Sequence, residues 1–269
     1  MLADDVKFWR VVNDIEDQKL LQADMDRLFD WCIRNNLQLC VEKCCYSSFS
    51  RKLNRIDTAY HIDSKPLRYV SSIRDLGVIM DEKLSFVEHI NSLSVKASKL
   101  LGFVKRNSKY FSIDAVRLIY CCLVRSILEY CSVVWSPYHQ IHIATIEKVQ
   151  HKFLKYCAYK TQTYIENHDY TGIEQRLSLA PLSVRRDISG GVFVFKIING
   201  LIDCPSLLDS IRFNVPYPGL RYNVTFNTAF HRTSYGSNMP LDRYMCFLNG
   251  FDMDLFNISL GQLRRSLAM

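Results

Sequence analysis

Met1-Leu2-Ala3-Asp4-Asp5-Val6-Lys7-Phe8-Trp9-Arg10 sets two carboxylates side by side between short apolar runs. Leu2-Ala3 on one side and Val6 with Phe8 on the other have strand character, and Asp-Asp is turn chemistry. The stretch reads as a β-hairpin with Asp4 and Asp5 at its tip. Adjacent carboxylates in a tight turn repel one another. That arrangement becomes useful when a hard divalent cation such as Mg2+ takes oxygen ligands there. The same residues also read as an exposed acidic turn, so the residues that follow have to decide.

Asn13 or Asp14 caps a helix with Glu16 and Asp17 in its first turn. Leu21, Met25, Leu28 and Cys32 recur on one helical face, and Asn35-Asn36 ends it in the left-handed conformation. Leu37, Leu39 and Val41 alternate with Gln38, Cys40 and Glu42, predicting a strand with one buried face. Lys43 follows, then a second short strand over residues 46–49. Residues 51–57 are polar and read as a loop. Residues 59–62, 67–70 and 76–80 read as short strands, with Asp63-Ser64-Lys65-Pro66 turning between the first two. Gly77 marks either a bulge or a close backbone approach. The first third thus predicts a small antiparallel sheet.

At Leu84 the period changes. Phe86, Ile90, Leu93, Ala97, Leu100 and Val104 form a helical core stripe, with Lys96, Lys99, Lys105, Arg106 and Lys109 largely off it. Ser112 or Asp114 caps a second helix with Val116, Ile119, Leu123 and Ile127 as its apolar face. Pro137 breaks the chain. A third helix spans about 141–159, with Ile146, Val149, Phe153 and Cys157 inward and Lys148, Lys152 and Lys155 along one side. Three amphipathic helices with short connections predict a bundle. Further helices are expected over 173–179, 183–199 and 260–267. Between them Phe213, Tyr217, Tyr222, Phe226, Phe230 and Tyr235 alternate with Arg212, Arg221 and Arg232, a mixture that suits packing or single-stranded nucleic acid. The fold class is α+β: a small antiparallel sheet, a predominantly α-helical bundle and a mixed C-terminal region.

Charge divides unevenly. Residues 1–84 carry 13 Lys+Arg and 14 Asp+Glu, residues 85–165 carry 11 and 4, and residues 166–269 carry 10 and 9. The middle third therefore holds the whole +7 excess, which suits a polyanion such as nucleic acid, or else a solvated lysine face. No apolar run reaches bilayer length, since Cys121 to Trp135 is broken by Arg125 and Glu129. Acidic residues stand where a secretory leader would be basic, so an intracellular location is expected, with the 10 cysteines as free thiols. Cys40, Cys44 and Cys45 lack the spacing of a zinc site.

Leu2-Ala3-Asp4-Asp5-Val6 resembles the aromatic-Ala-Asp-Asp signature of reverse transcriptases, with Leu2 in the aromatic position. The order that follows is similar to the C-terminal part of polymerases from non-LTR retrotransposons, the jockey-like elements in particular. Helix, Asn35-Asn36, alternating strand and Lys43 resemble motif D, although Leu39-Cys40 stands where the family commonly has Leu-Asn. Asp75-Leu76-Gly77-Val78 with Asp81 resembles motif E, the primer grip. The run from Ser126-Ile127-Leu128-Glu129-Tyr130 to Trp135-Ser136-Pro137-Tyr138 resembles one that recurs in jockey-like proteins.

The resemblance implies a palm remnant over residues 1–84, a thumb-like bundle over 85–165 and a C-terminal region over 166–269. It implies Asp4 and Asp5 as Mg2+-binding catalytic carboxylates and Lys43 as a catalytic lysine on the triphosphate side. Leu76, Gly77 and Val78 would grip the primer, and Lys96, Lys99, Lys105, Arg106, Lys148, Lys152 and Lys155 would meet nucleic acid. The implied partners are an RNA template, a DNA primer and the missing palm and fingers, without a membrane. A polypeptide with only this part of the metal site is expected to be inactive alone. The other reading is a non-catalytic helical module that binds nucleic acid or protein.

Overall fold

The side chain of Asp14 accepts the backbone N–H of Asp17 and opens α1 (Ile15–Arg34), which ends at Asn35 and Asn36, the latter at φ +55°. The computed structural model describes residues 6–52, 56, 59–166, 169–214, 224–251 and 253–267. The chain forms two compact units, Met1–Glu88 and His89–Met269. The architecture is α+β, with short strands first and a predominantly helical region after them.

In the first unit the strands make three separate two-stranded ladders rather than one antiparallel sheet, and one of them is parallel. β1 (Cys45–Tyr46) pairs in parallel with β4 (Arg68–Tyr69). β2 (His61–Ile62) and β3 (Lys65–Pro66) form a hairpin across Asp63 and Ser64, at φ +51° and +59°. β5 (Ser72–Asp75) and β6 (Val78–Asp81) form another across Leu76 and Gly77, at φ +45° and +87°. Two central residues at positive φ are what a tight hairpin turn demands, because its twist then matches that of the strands. α1 docks by an unusual contact: the Gln22 amide donates to the His61 carbonyl at 2.9 Å and accepts its N–H at 3.1 Å, so a side chain takes the place of a neighbouring strand on β2.

The alternating run Leu37 to Glu42 is not a strand. Leu37 is exposed, and Val41–Lys43 closes a 3-10 turn. No described strand pairs with this run, and without a partner edge alternation alone does not hold an extended chain. Residues 6–12 likewise carry no strand pairing, with Trp9 86% exposed, and the Asp4-Asp5 tip lies outside the described residues.

The second unit is helical. α2 (Val87–Asn107) buries Ile90, Leu93, Ala97, Leu101 and Val104. Ser112 caps α3 (Ile113–Ile119), which runs on through a π-helical turn, Tyr120–Arg125, into α4 (Ser126–Glu129). This turn corrects the expected apolar face. The residues that go inside are Val116, Tyr120, Val124 and Leu128, each with no exposed surface, whereas Leu123 is 43% exposed. A strict four-residue repeat drifts around an α-helix. A turn closing i to i+5 takes up the surplus and keeps all four pointing inward.

α5 (Ser132–Trp135) buries Trp135, whose indole N–H donates to the Tyr130 carbonyl at 2.8 Å, so this tryptophan packs rather than stacks on a base. α6 (Gln140–Lys160) and α7 (Thr171–Leu177) lead into α8 (Leu182–Ile198), against which α4, α5, α6, α9 (Pro205–Leu208), α11 (Pro240–Asn249) and α12 (Leu260–Leu267) all pack. Between α9 and α11 lies the single turn α10 (Ser234–Ser237). Gly190 lets α11 come close, since a Cβ there would meet the buried Tyr244 ring at 2.0 Å. Phe226 belongs to this core, while Phe230 is 92% exposed.

Candidate nucleic-acid interface

Two long helices present basic stripes. On α2, Lys96, Lys99, Phe103 and Arg106 follow one another at spacings of three, four and three, and all are exposed. On α6, Lys148, Lys152, Lys155 and Tyr159 follow at four, three and four, again all exposed. These spacings place each set along one side of its helix, away from the stripe that each helix buries. Among the described residues none of the six cations has a carboxylate within 4.0 Å. Each therefore keeps its full charge toward solvent.

Lys105 behaves differently from its neighbours. It is half-buried, its ammonium donates to the Lys152 carbonyl at 2.6 Å, and it lies 5.7 Å from the centre of the Tyr156 ring. Burial, with Lys152 nearby, pushes its pKa down. It fastens α2 to α6 rather than facing outward. Lys160 does the same at the helix end, donating to the carbonyls of Lys109 at 2.6 Å and Ser108 at 3.3 Å. Ser108 and Tyr156 hydroxyls meet at 3.1 Å. These contacts fix the two lysine-bearing helices against one another.

In the first unit, Lys43 is exposed at the end of the 3-10 turn. Leu76 and Gly77 form the exposed tip of the β5–β6 hairpin, whereas Val78 is buried beneath it. Gly77 serves the turn itself, not a bulge. Lys7 pairs with Asp75 at the base of this tip, which brings the segment following Asp4-Asp5 to the hairpin. Asp81 closes the next bend. Its carboxylate accepts the N–H groups of Lys83 (3.0 Å), Ser85 (2.9 Å) and Phe86 (2.8 Å) and the Ser85 hydroxyl (2.9 Å). Burial acts to raise its pKa, but the Ser85, Phe86 and Lys83 hydrogen bonds together outweigh it and hold the carboxyl below its ordinary value. Asp4 and Asp5 lie outside the described residues. Among those described, no three His, Cys, Asp or Glu side chains gather where they could hold a metal ion.

Sequence reasoning passed over Lys160 and the tyrosines beside it. The signal present was the adjacency of cation and aromatic in Lys109-Tyr110 and Tyr159-Lys160, which falls at helix ends where periodicity gives no guidance.

Among the described residues no helix is long and apolar enough to cross a membrane. No family profile matches the chain, and no solved structure does. A curated relative does: the chain is 27% identical over 145 residues to an RNA-directed DNA polymerase from the mobile element jockey of Drosophila funebris, a match covering 52% of this chain. The chain is thus similar, distantly and in part, to a retrotransposon reverse transcriptase, and the match spans 16% of that relative's length.

Proposed function

We propose that this chain is the palm end and thumb of a jockey-like reverse transcriptase, and that its helical region holds the template–primer by the phosphate backbone. The observation that carries the reading is the pair of exposed, uncompensated basic stripes on α2 and α6. Point-charge lysines suit phosphate contact better than base readout. In this reading residues 1–84 are palm, 85–165 thumb and 166–269 a C-terminal extension. Asp4 and Asp5 carry Mg2+, Lys43 faces the triphosphate, and the Leu76-Gly77 tip offers its backbone to the primer strand.

The first unit's surface supports a larger palm around it. Among its described residues only Cys32, Tyr60, Ile62 and Val78 are buried apolar side chains, while Trp9, Val11, Ile15, Trp31, Ile33 and Leu37 are exposed. Exposed apolar groups gathered on one small unit fit a surface that other protein covers.

The test is titration of residues 1–269 against a blunt RNA–DNA hybrid at several salt concentrations. With about four to six cations on phosphates, the log–log slope is about −3.5 to −5.5. Salt-independent or absent binding overturns the proposal.

A further inference from the structure

At the C-terminal end of α6 an open cleft of about 670 Å³ is lined by Lys109, Tyr159, Lys160 and Tyr164, among others. Tyr159 and Tyr164 are 84% and 87% exposed, and neighbouring Tyr110 is 89% exposed. Tyrosines of a folded unit ordinarily bury most of the ring, so three nearly bare rings at one end of a bundle call for a ligand with a flat apolar face. Gln162, at φ +52°, reverses the chain after α6 and carries Tyr164 back to the cleft that Tyr159 lines.

The charges around these rings are all positive. The Lys109 ammonium stands 5.5 Å from the centre of the Tyr110 ring. Lys160 is anchored on the Ser108 and Lys109 carbonyls, which fixes its position without neutralising it. Arg176, from α7, reaches Thr163 at the cleft wall with a 3.1 Å hydrogen bond. None of the cleft-lining residues is acidic. Yet α2 and α6 both end here, and helix C-termini carry partial negative charge, which disfavours a bare anion. A ligand that sets neutral π-faces against the tyrosines and its charge on the outlying cations meets both conditions.

We infer that this cleft binds single-stranded nucleic acid, with unpaired bases stacked on Tyr110, Tyr159 and Tyr164 and the strand's phosphates on Lys109, Lys160 and Arg176. Stacking on exposed aromatics with cations beside them is how sequence-tolerant single-strand sites work. A duplex hides its base faces and cannot use the rings. Tyr159 is also the last member of the Lys148–Lys152–Lys155 stripe, so a strand leaving a duplex held there arrives at the cleft. The inference extends the proposed function, but its test separates the two.

Full-length 1–269 is titrated with a labelled single-stranded 12-mer, as RNA and as DNA, and with a blunt hybrid of the same length. Tyr159→Ala and Tyr164→Ala each weaken single-strand binding by about 5- to 100-fold, the loss expected for one stacked base. The Tyr→Phe variants stay within about twofold of the parent, and hybrid binding moves less than twofold in all of them. An oligonucleotide carrying 4-thiouridine crosslinks to Tyr159 or Tyr164 on irradiation. Rings this exposed contribute little to folding, so circular dichroism of the variants stays unchanged. Single-strand affinity unmoved by the double alanine variant, crosslinks elsewhere, or equal loss of both ligands overturns the inference. Single-strand binding without hybrid binding overturns the proposed function and leaves this site standing. A surface that takes neither ligand but captures protein overturns both.

Discussion

The carboxylate of Glu147 accepts the backbone N–H of Ser183 at 2.6 Å, and its other oxygen that of Leu182 at 3.1 Å. α8 begins at Pro181-Leu182 with no capping side chain of its own. A residue in the middle of α6 therefore closes the N-terminus of the helix around which the second unit packs. The same carboxylate lies 3.7 Å from the guanidinium of Arg186, which is 1% exposed and makes no hydrogen bond among the described residues. Burial pushes the Arg186 pKa down, and Glu147 works against that.

Removing Glu147 therefore uncaps α8 and strands a buried cation at once. Glu147→Ala is expected to lower the unfolding free energy of the second unit by about 3–5 kcal/mol. Arg186→Met in a Glu147→Gln background recovers most of that, because no charge is then left unpaired. Urea denaturation of the single and double variants measures the recovery. Additive losses would show that the two side chains are not coupled.

Asp81 gives a pH dependence of definite sign. Its folded pKa lies below the ordinary value of about 3.9, so its contribution is complete above that pH and is lost as pH falls through the lower, folded value. Asp81→Asn is expected to cost about 1–2 kcal/mol at pH 7. The bend it holds includes Leu84 and Phe86 at φ +49° and +57°, a conformation that side chains adopt reluctantly. The gap between parent and variant should close as pH is taken below about 3.9. A gap constant from pH 7 to pH 2 would refute the role of its charge.

Lys105 and Lys152 should part company on substitution. Lys152→Ala reduces the salt slope for the RNA–DNA hybrid by about 0.9 and leaves stability within about 0.5 kcal/mol. Lys105→Ala costs about 0.5–1.5 kcal/mol of stability, through the lost bond to the Lys152 carbonyl, and hardly changes the slope. The opposite pattern would mean that Lys105 leaves the seam to meet phosphate.

Two glycines test the packing of helices. Gly190→Ala drives a methyl into the Tyr244 ring and should destabilise by about 1–3 kcal/mol. Gly172→Ala, on α7 with nothing within 4 Å, should stabilise by about 0.4–1 kcal/mol. Thermal melts of the pair provide the comparison.

Much of this was legible in the chain. The long helices announce themselves because their apolar stripes persist over several turns, as in Ile90 to Val104 and Ile146 to Cys157, and the lysines off those stripes are exposed as expected, Lys105 excepted. Its contact with Lys152 depends on how two helices meet, which no local pattern encodes. Leu37 to Glu42 misled because alternation describes a face, and a face needs a partner strand. The α3–α4 face was misread by one residue because spacing was counted on an α-turn. The cleft tyrosines were invisible to periodicity, which records what a helix buries and says little of what its end leaves bare.

The wide turn at Tyr120–Arg125 amounts to one residue more than an α-helix needs. A deletion of a single residue within it would let the helix close normally and turn Ser126–Glu129 by about 100°. Leu128 would then leave the core, and Glu129 would leave Arg185, to which it is bound by a two-pronged ion pair. Length in this stretch is therefore a stricter requirement than composition: copies of such a sequence can exchange one apolar residue for another here and still fold, but not gain or lose a codon.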